Sequence, residues 1–545
     1  MTAVVAPVRV CTAAAHITHR RHGSFTATVL WLLVALSSCF QDVVYARNDR
    51  AFLTGAVYAR GGATSVSSKT ASISSGGGGG EQEAYMLLAR AIRSRLKSDD
   101  GVVPEIPKIV KSFVSMSSAQ SAFKGLDGAA HEAYQRTHSN KEDVDISVAG
   151  RALRSAARVG ATADGLGACE LCELVEHPDT LDLQSTNGTL AGREVLLNLT
   201  HVGPASSIMN VSVLVLFEPS YRGGVGINHG GIDETSASGG AKGRLIVVIG
   251  DNMGGNLGKA LKVLGQTPLH VRLTPSVVTS EVASVQSSLY KSAGTVLEAL
   301  ESILLAHNSA AIHFVGRSLA GGVATLAASI LDGRIPMPRE KKNRKRRKNK
   351  ATVEVSANAT DSTDNNTPIG LHGLGKDRCS ALTLGAPPCL SANVQTDFVT
   401  SILYGDDIVC RSSKESIDRF LKRTRKALKS GGIVGRQMNW MTDTLSLAAS
   451  NLQNHAHGSE GEEARLSIPG RAYLIRPRRL GGVCSMHEVG AQLKGGRLAL
   501  RAAVFWQLSD ILLSKSLWKH HELDSYIHGL DRVQLRGLDD EATSH

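Results

Sequence analysis

The stretch "HFVGRSLAGG", His313 to Gly322, places a serine, Ser318, between an apolar strand-like run and an apolar helix-like run. Gly316, Ala320 and Gly321 flank it, and small residues are what a strand and a helix need where they approach closely at a sharp turn. Such a turn lifts the serine hydroxyl out of the chain and aims the next backbone N–H, from Leu319, at the same point. A serine hydroxyl is a poor nucleophile until a base takes its proton. The oxygen that gains charge during attack needs fixed N–H donors. The stretch therefore predicts a strand–turn–helix elbow made by Gly316, Ala320 and Gly321, with Ser318 at its tip and Leu319 as an oxyanion donor.

The sequence around the elbow alternates in texture. "REVLLNL", "NVSVLVLFEP", "GRLIVVIGD", "AAIHFV", "CSALTLGAPP", "FVTSILYGDDIV", "RAYLIRP" and "SDILLS" read as strands. "SEVASVQSSLYKSAGTVLEALESILLAH", "LAGGVATLAASIL", "KESIDRFLKRTRKAL" and the last segment read as helices. This order predicts an α/β architecture, a mostly parallel sheet with helices on both faces, over residues 193–535. In such sheets functional residues sit at the carboxyl ends of strands.

On such a fold the partners of a serine nucleophile are expected downstream, the acid first and then the histidine. "SILYGDDIVCR" carries Asp406 and Asp407 at a strand end, Asp406 reading as a turn residue and Asp407 as the acid. Near the C-terminus, His520, His521 and His528 lie in or just before the last helix, and His487 in "CSMHEVG" is a further alternative. Strand-end placement and chain order favour His521 as the base.

These segments together resemble class 3 lipases, of the α/β-hydrolase fold, and in particular their diacylglycerol lipase branch. "IHFVGRSLAGGVATLAASIL" is similar to the nucleophile segment. "LTLGAPPCLS" with "FVTSILYGDDIVCRSSKESIDRFLKR" is similar to the block carrying the acid. "SIPGRAYLIRP" and "SDILLSKSLWKHHELDSYIHGL" are similar to the last two blocks. The resemblance spans roughly Val211 to Leu530 and implies Ser318, Asp407 and His521 as the catalytic set. It implies a serine ester hydrolase acting through an acyl-enzyme on an acylglycerol at a membrane surface, with neither metal nor organic cofactor. A lid over Asn252 to Ser280 belongs to the same expectation.

Three positions depart from the family pattern. Arg317 stands where the family has His, and Ala320 where it has Gly. Asp251, in "VVIGDNMGG", stands where an Arg-Gly-Thr-like segment offers the second oxyanion donor, so Asp251 is expected to serve through its backbone N–H. A carboxylate there motivates an alternative reading, a catalytically impaired hydrolase fold that binds lipid or a partner.

The rest of the chain sets the context. A basic flank, the apolar run Phe25 to Phe40 and a small-residue site ending at Ala46 predict a secretory signal peptide or signal anchor over 1–46. A Ser/Gly-rich linker is expected over 47–80 and a mainly helical segment over 81–192, with a tail at 536–545. A secretory route makes the Asn-x-Ser/Thr sites at Asn187, Asn198, Asn210, Asn358 and Asn365 glycosylation candidates. It also leaves six cysteines beyond the signal that could pair, among them Cys169 and Cys172 in "CELC". "KKNRKRRKNK" alone supplies eight of the positive charges behind a net charge of +12, and it lies within a polar, aperiodic insertion at 339–368. A basic balance concentrated in one loop, with no base-stacking or base-reading motif, argues against a nucleic-acid partner.

Overall fold

The computed structural model describes residues 79–97, 101–120, 167–176, 189–190, 193–203, 209–222, 242–251, 256–273, 282–338, 371–430, 432–457, 465–477, 484–489, 508 and 510–533. The chain divides into two units, Met1–Ser75 and Gly76–His545, and the first lies wholly outside the described residues. The expected signal segment, nearly all of the Ser/Gly linker and the basic insertion also lie outside them.

Helices α1 (Gly79–Ile92), α2 (106–120) and α3 (Ala168–Glu176) come first. The strands are β1 (Thr189–Leu190), β2 (Arg193–Val202), β3 (Val211–Arg222) and β4 (Lys242–Asp251). After them come α4 (Leu257–Leu264), β5 (Leu269–Arg272), β6 (Val282–Val285), α5 (Ser287–Ala306), β7 (Ala311–Arg317) and α6 (Ser318–Leu331). The remainder is β8 (Cys379–Leu384), β9 (Leu390–Ser391), β10 (Val399–Tyr404), α7 (Lys414–Lys429), α8 (Gly432–His457), β11 (Leu466–Ser467), β12 (Arg471–Pro477), β13 (Cys484–Val489) and α9 (Leu523–Asp531).

Nine strands form one sheet in the order β1-β2-β3-β4-β7-β8-β10-β12-β13. Its middle, β4 through β12, is parallel, and both edges are antiparallel. A smaller antiparallel sheet has the order β11-β9-β6-β5. The parallel centre follows from the α/β alternation, because parallel neighbours need a crossover between them. This is the arrangement of an α/β-hydrolase fold.

Strand periodicity sorts the core into two layers. Val213, Val215, Val247 and Ile249 join one apolar cluster with α1, α4, α5 and α6. Leu214, Leu216, Ile246 and Val248 join the other with α3 and with Tyr526 and Leu530 of α9. Burial of each of these aliphatic side chains stabilises the fold by roughly 1.5–3 kcal/mol. The N-terminal helices belong to the same core: Phe113 of α2 lies 5.5 Å from Phe420 of α7, centroid to centroid. On the other face Val175 of α3 sits so close to Gly250 that a Cβ there would come within 2.6 Å of its Cγ1.

Three local readings are corrected. The tract expected to be one helix from Ser280 to His307 divides into β6 and α5. Gln286 makes the break: its side chain accepts from Leu289 N at 2.8 Å and donates to Val263 O at 2.6 Å, capping α5 and joining it to α4. The "SDILLS" strand does not form at 511–514. There Leu513 N donates to the Gln120 side chain at 2.9 Å, and Ile511 and Leu513 fill the core as an extended segment outside the sheet. The strand that completes the sheet is instead β13. Finally, α4 lies inside the expected lid, yet Leu257, Ala260, Leu261, Val263 and Leu264 are buried, so α4 is a core helix rather than a mobile cover.

Asp510 anchors the C-terminal segment by a buried ion pair with Arg423 of α7. Removing one partner leaves the other charge uncompensated in the interior. Asp510→Asn is therefore expected to lower the unfolding free energy by about 3–5 kcal/mol, read from the urea midpoint. An unchanged midpoint would show that the pair does not anchor the segment.

Candidate active site

β7 ends at Arg317 and α6 begins at Ser318 without a linker. Ser318 takes up the whole turn in its own backbone, with φ +57°. That left-handed conformation costs an L residue roughly 1–2 kcal/mol. It persists because the surroundings leave no alternative. A Cβ on Gly316 would lie 2.7 Å from Ala320 O, and one on Gly321 would lie 3.0 Å from Gly316 O and from Ala386 Cβ. Ala320 is fully buried with its methyl accommodated, and every residue of α6 is buried. The N–H groups of Leu319 and its neighbours are at the start of the helix, where N–H groups lack intrahelical acceptors and the helix dipole is positive.

β8 and β10 carry the next two parts. Gly405 (φ +47°) ends β10 in a tight turn, and Asp407 follows, fully buried. A buried carboxylate needs donors, and Asp407 has three. Its Oδ1 accepts from Val409 N at 2.8 Å, its Oδ2 from the Tyr526 hydroxyl at 2.6 Å, and both oxygens lie 3.0 Å from His521 Nδ1. Gly385 (φ +62°), just past β8, clears the space: a Cβ there would lie 2.6 Å from Tyr526 Oη and 2.7 Å from Asp407 Oδ2. Burial, with the Asp407 charge adding to it, pushes the Tyr526 phenol well above its usual range, so it stays a donor.

His521 closes a 3-10 turn, Lys519–His521, just before α9. Its Nε2 lies 3.0 Å from Ser318 Oγ. An imidazole that keeps its proton on Nδ1 and donates it in a hydrogen bond to a carboxylate leaves Nε2 free to accept, so the arrangement can draw the hydroxyl proton of Ser318. Trp518 packs against the ring at 5.2 Å between centroids. Ser318, Asp407 and His521, separated by more than two hundred residues in sequence, thus form one hydrogen-bonded line.

The other candidates lie elsewhere. His520 Nδ1 accepts from Asp406 N at 2.9 Å, and its ring stands edge-on to Tyr404, so it holds the acid-bearing turn. His528 is exposed on α9, and His487 sits on the edge strand β13, opposite Leu474. Asp251 ends β4, two residues past Ile249, which pairs with Gly316, so it lies beside the elbow. Burial works against the charge of the Arg317 guanidinium, but the Glu176 carboxylate outweighs it and, with a smaller contribution from Asp251, keeps that guanidinium protonated more firmly than usual. Arg317 itself grips both carboxylate oxygens of Glu176 at 2.8 and 2.6 Å and donates to the backbone carbonyl of His521 at 2.9 Å. Buried Arg411 donates likewise to Gly405 O at 2.8 Å, bracing the acid turn.

Tyr526, Glu176 and Gly385 were not foreseen from the sequence. Tyr526 carries no local signal. Glu176 does carry one: it is an acid in the last turn of a helix, where the dipole disfavours negative charge. Cys169, Cys172, Cys379, Cys389, Cys410 and Cys484, the six that could pair in an oxidising compartment, are all buried and free in the structure. Burial pushes the Cys169 thiol up to about 12, and "CELC" is a helix-borne pair of thiols within the core. Among the described residues no group of three or more His, Cys, Asp or Glu is placed to hold a metal ion. Asn198 and Asn210 are exposed; the other three sequons lie outside the described residues.

No family model and no curated protein matches the chain. Among solved structures the chain is similar to a lipase from Rhizopus microsporus var. chinensis, at 14% identity over 51% of this chain and 72% of that one, TM-score 0.25. It is also similar to Lip2 lipase from Yarrowia lipolytica, at 15% identity over 45% and 70%, TM-score 0.26. A third is a triacylglycerol lipase from Penicillium expansum, at 9% identity over 64% and 85%, TM-score 0.27.

The strained turn makes a prediction independent of chemistry. Ser318→Ala keeps the left-handed residue, whereas Ser318→Gly relieves it. The glycine variant is expected to be more stable than the alanine variant by about 1–2 kcal/mol, the reverse of their order within an ordinary helix. Equal or inverted stabilities in thermal unfolding would mean that the turn is not strained.

Proposed function

We propose that this protein is a serine carboxylic-ester hydrolase of lipase type, with Ser318 as nucleophile, His521 as general base and acid, and Asp407 as the group that orients the imidazole. One observation carries the reading: His521 Nε2 lies 3.0 Å from Ser318 Oγ while its Nδ1 lies 3.0 Å from both Asp407 oxygens. Ser318 Oγ attacks the ester carbonyl as its proton passes to Nε2. The carbonyl oxygen becomes an oxyanion, held by the N–H groups of Leu319 and Asp251. Collapse breaks the ester C–O bond, and His521 returns the proton to the leaving alcohol. Water then repeats the sequence on the acyl-enzyme and releases the fatty acid. Tyr526 keeps Asp407 aimed through both steps.

The resemblance to class 3 lipases supports an acylglycerol ester met at a membrane surface as the substrate, with diacylglycerol among the candidates. The N-terminal signal-like segment fits a luminal, secreted or membrane-anchored enzyme. Asp251 serves the oxyanion through its backbone while Arg317 offsets its side-chain charge. Ser318 is only 4% exposed, so substrate entry needs a movement of whatever covers it.

Two assays test this. Against a short-chain ester, Ser318→Ala and His521→Ala are expected to lose kcat by at least about 10⁴-fold. Equal hydrolysis by the wild type and Ser318→Ala would remove the assignment and favour a silent, lipid-binding fold. Tyr526→Phe removes a hydrogen bond to a charged group and is expected to lower kcat roughly tenfold with KM little changed. Unaltered kcat would mean that Asp407 does not depend on Tyr526.

A further inference from the structure

Arg317 occupies the position immediately before the nucleophile, and its place in the structure is unusual for an elbow residue. Its side chain turns away from Ser318 toward two partners far apart in sequence. One edge of the guanidinium meets the Glu176 carboxylate through Nε and Nη2, at 2.8 and 2.6 Å. Nη1 donates to His521 O at 2.9 Å. Both side chains are largely buried, 15% and 12% exposed. The carbonyl of His521 lies at the end of a 3-10 turn, where carbonyls lack N–H donors within the turn, so a guanidinium N–H is well suited to take it up. Glu176, for its part, is the last residue of α3, whose final turn holds no basic residue.

From this geometry we infer that Glu176 and Arg317 are positioning residues for the base: α3 and the guanidinium together fix the turn that aims His521 at Ser318. The inference rests on the reading of Ser318 and His521 as nucleophile and base. It gives part of the segment N-terminal to the sheet a role in the chemistry. The planar guanidinium is needed because it must satisfy a carboxylate and a carbonyl from different edges at once, which a single ammonium cannot do in the same geometry. Glu176 supplies the neutralising charge and holds the plane in place. Without them the His521 carbonyl loses its side-chain donor, and His520, through Asp406 N, is left to tie the turn to the acid-bearing loop. The imidazole then drifts by a fraction of an ångström to an ångström, a displacement that costs on the order of a hundredfold in rate.

The test uses the full chain and two readouts. Arg317→Gln is expected to lower kcat roughly 10- to 100-fold with little change in KM. The ¹H resonance of His521 Nδ1–H, far downfield because of its bond to Asp407, should shift or broaden. Because Arg317→Gln alone strands a buried carboxylate, the double variant E176Q/R317Q removes both charges together and should show the same loss in a folded protein. Arg317→Lys, which keeps the charge without the fork, should also lose kcat. Leu171→Ala on the same helix is the control for mere packing: it should melt at a lower temperature with kcat and the resonance unchanged. Wild-type kcat and an unmoved resonance in the double variant would overturn the inference. So would an equal loss of kcat in Leu171→Ala. If instead the wild type hydrolyses no ester, the enzymatic reading fails, and the resonance still reports whether the pair positions His521.

Discussion

The left-handed turn at Ser318 is the constraint from which the rest of the site follows. A strand passes into a helix with no intervening residue, and the cost falls on one serine backbone. Gly316 and Gly321 are glycine because the strand, the helix and Ala386 approach too closely for a Cβ. The surrounding core supplies what holds the turn in that conformation: α6 is buried along its whole length between the sheet and α5. Strain kept in this way gives the hydroxyl a fixed position at the positive end of a helix.

A fixed hydroxyl is useful only if the base is equally fixed, and the base comes from a part of the chain outside the sheet. The C-terminal segment is tied down at several points. Asp510 pairs with Arg423, Leu513 N reaches Gln120, His520 accepts from Asp406, and Tyr526 donates to Asp407. Two arginines, the largely buried Arg317 and the buried Arg411, each take up a backbone carbonyl, of His521 and of Gly405 respectively. The acid and the base are thus held through their backbones as well as their side chains. One of these ties, Leu513 N to Gln120, runs to a helix N-terminal to the sheet, and Arg317 is itself paired with Glu176 of another; those helices share its two apolar layers.

How much of this was legible in the sequence depended on the range of the interaction. The elbow was legible because its glycines, its serine and the change from strand to helix texture are adjacent. The parallel centre of the sheet followed from alternation. The break at Gln286 was not legible, because "VASV" fits either period, and what decides it is a cap whose second bond reaches Val263. The segment at 511–514 has the composition of a strand, but its backbone donor at Leu513 is met by Gln120, nearly four hundred residues earlier. Tyr526 was invisible for the same reason, its importance lying wholly in a partner brought to it by the fold; Glu176 gave only the hint of an acid in the last turn of a helix, and its partner too comes from the fold. Asp251 looked like a fault in isolation, and the guanidinium of Arg317 changes its electrostatic setting.

The central claim is that Ser318 is a nucleophile made reactive by His521. Phosphonylation by a fluorophosphonate, followed by peptide mass mapping of the folded protein, tests it most directly. The account predicts a single adduct on the peptide carrying Ser318 in the wild type and none over the same time in His521→Ala. A folded wild type left unmodified at Ser318, or a His521→Ala variant labelled at the wild-type rate, would contradict it.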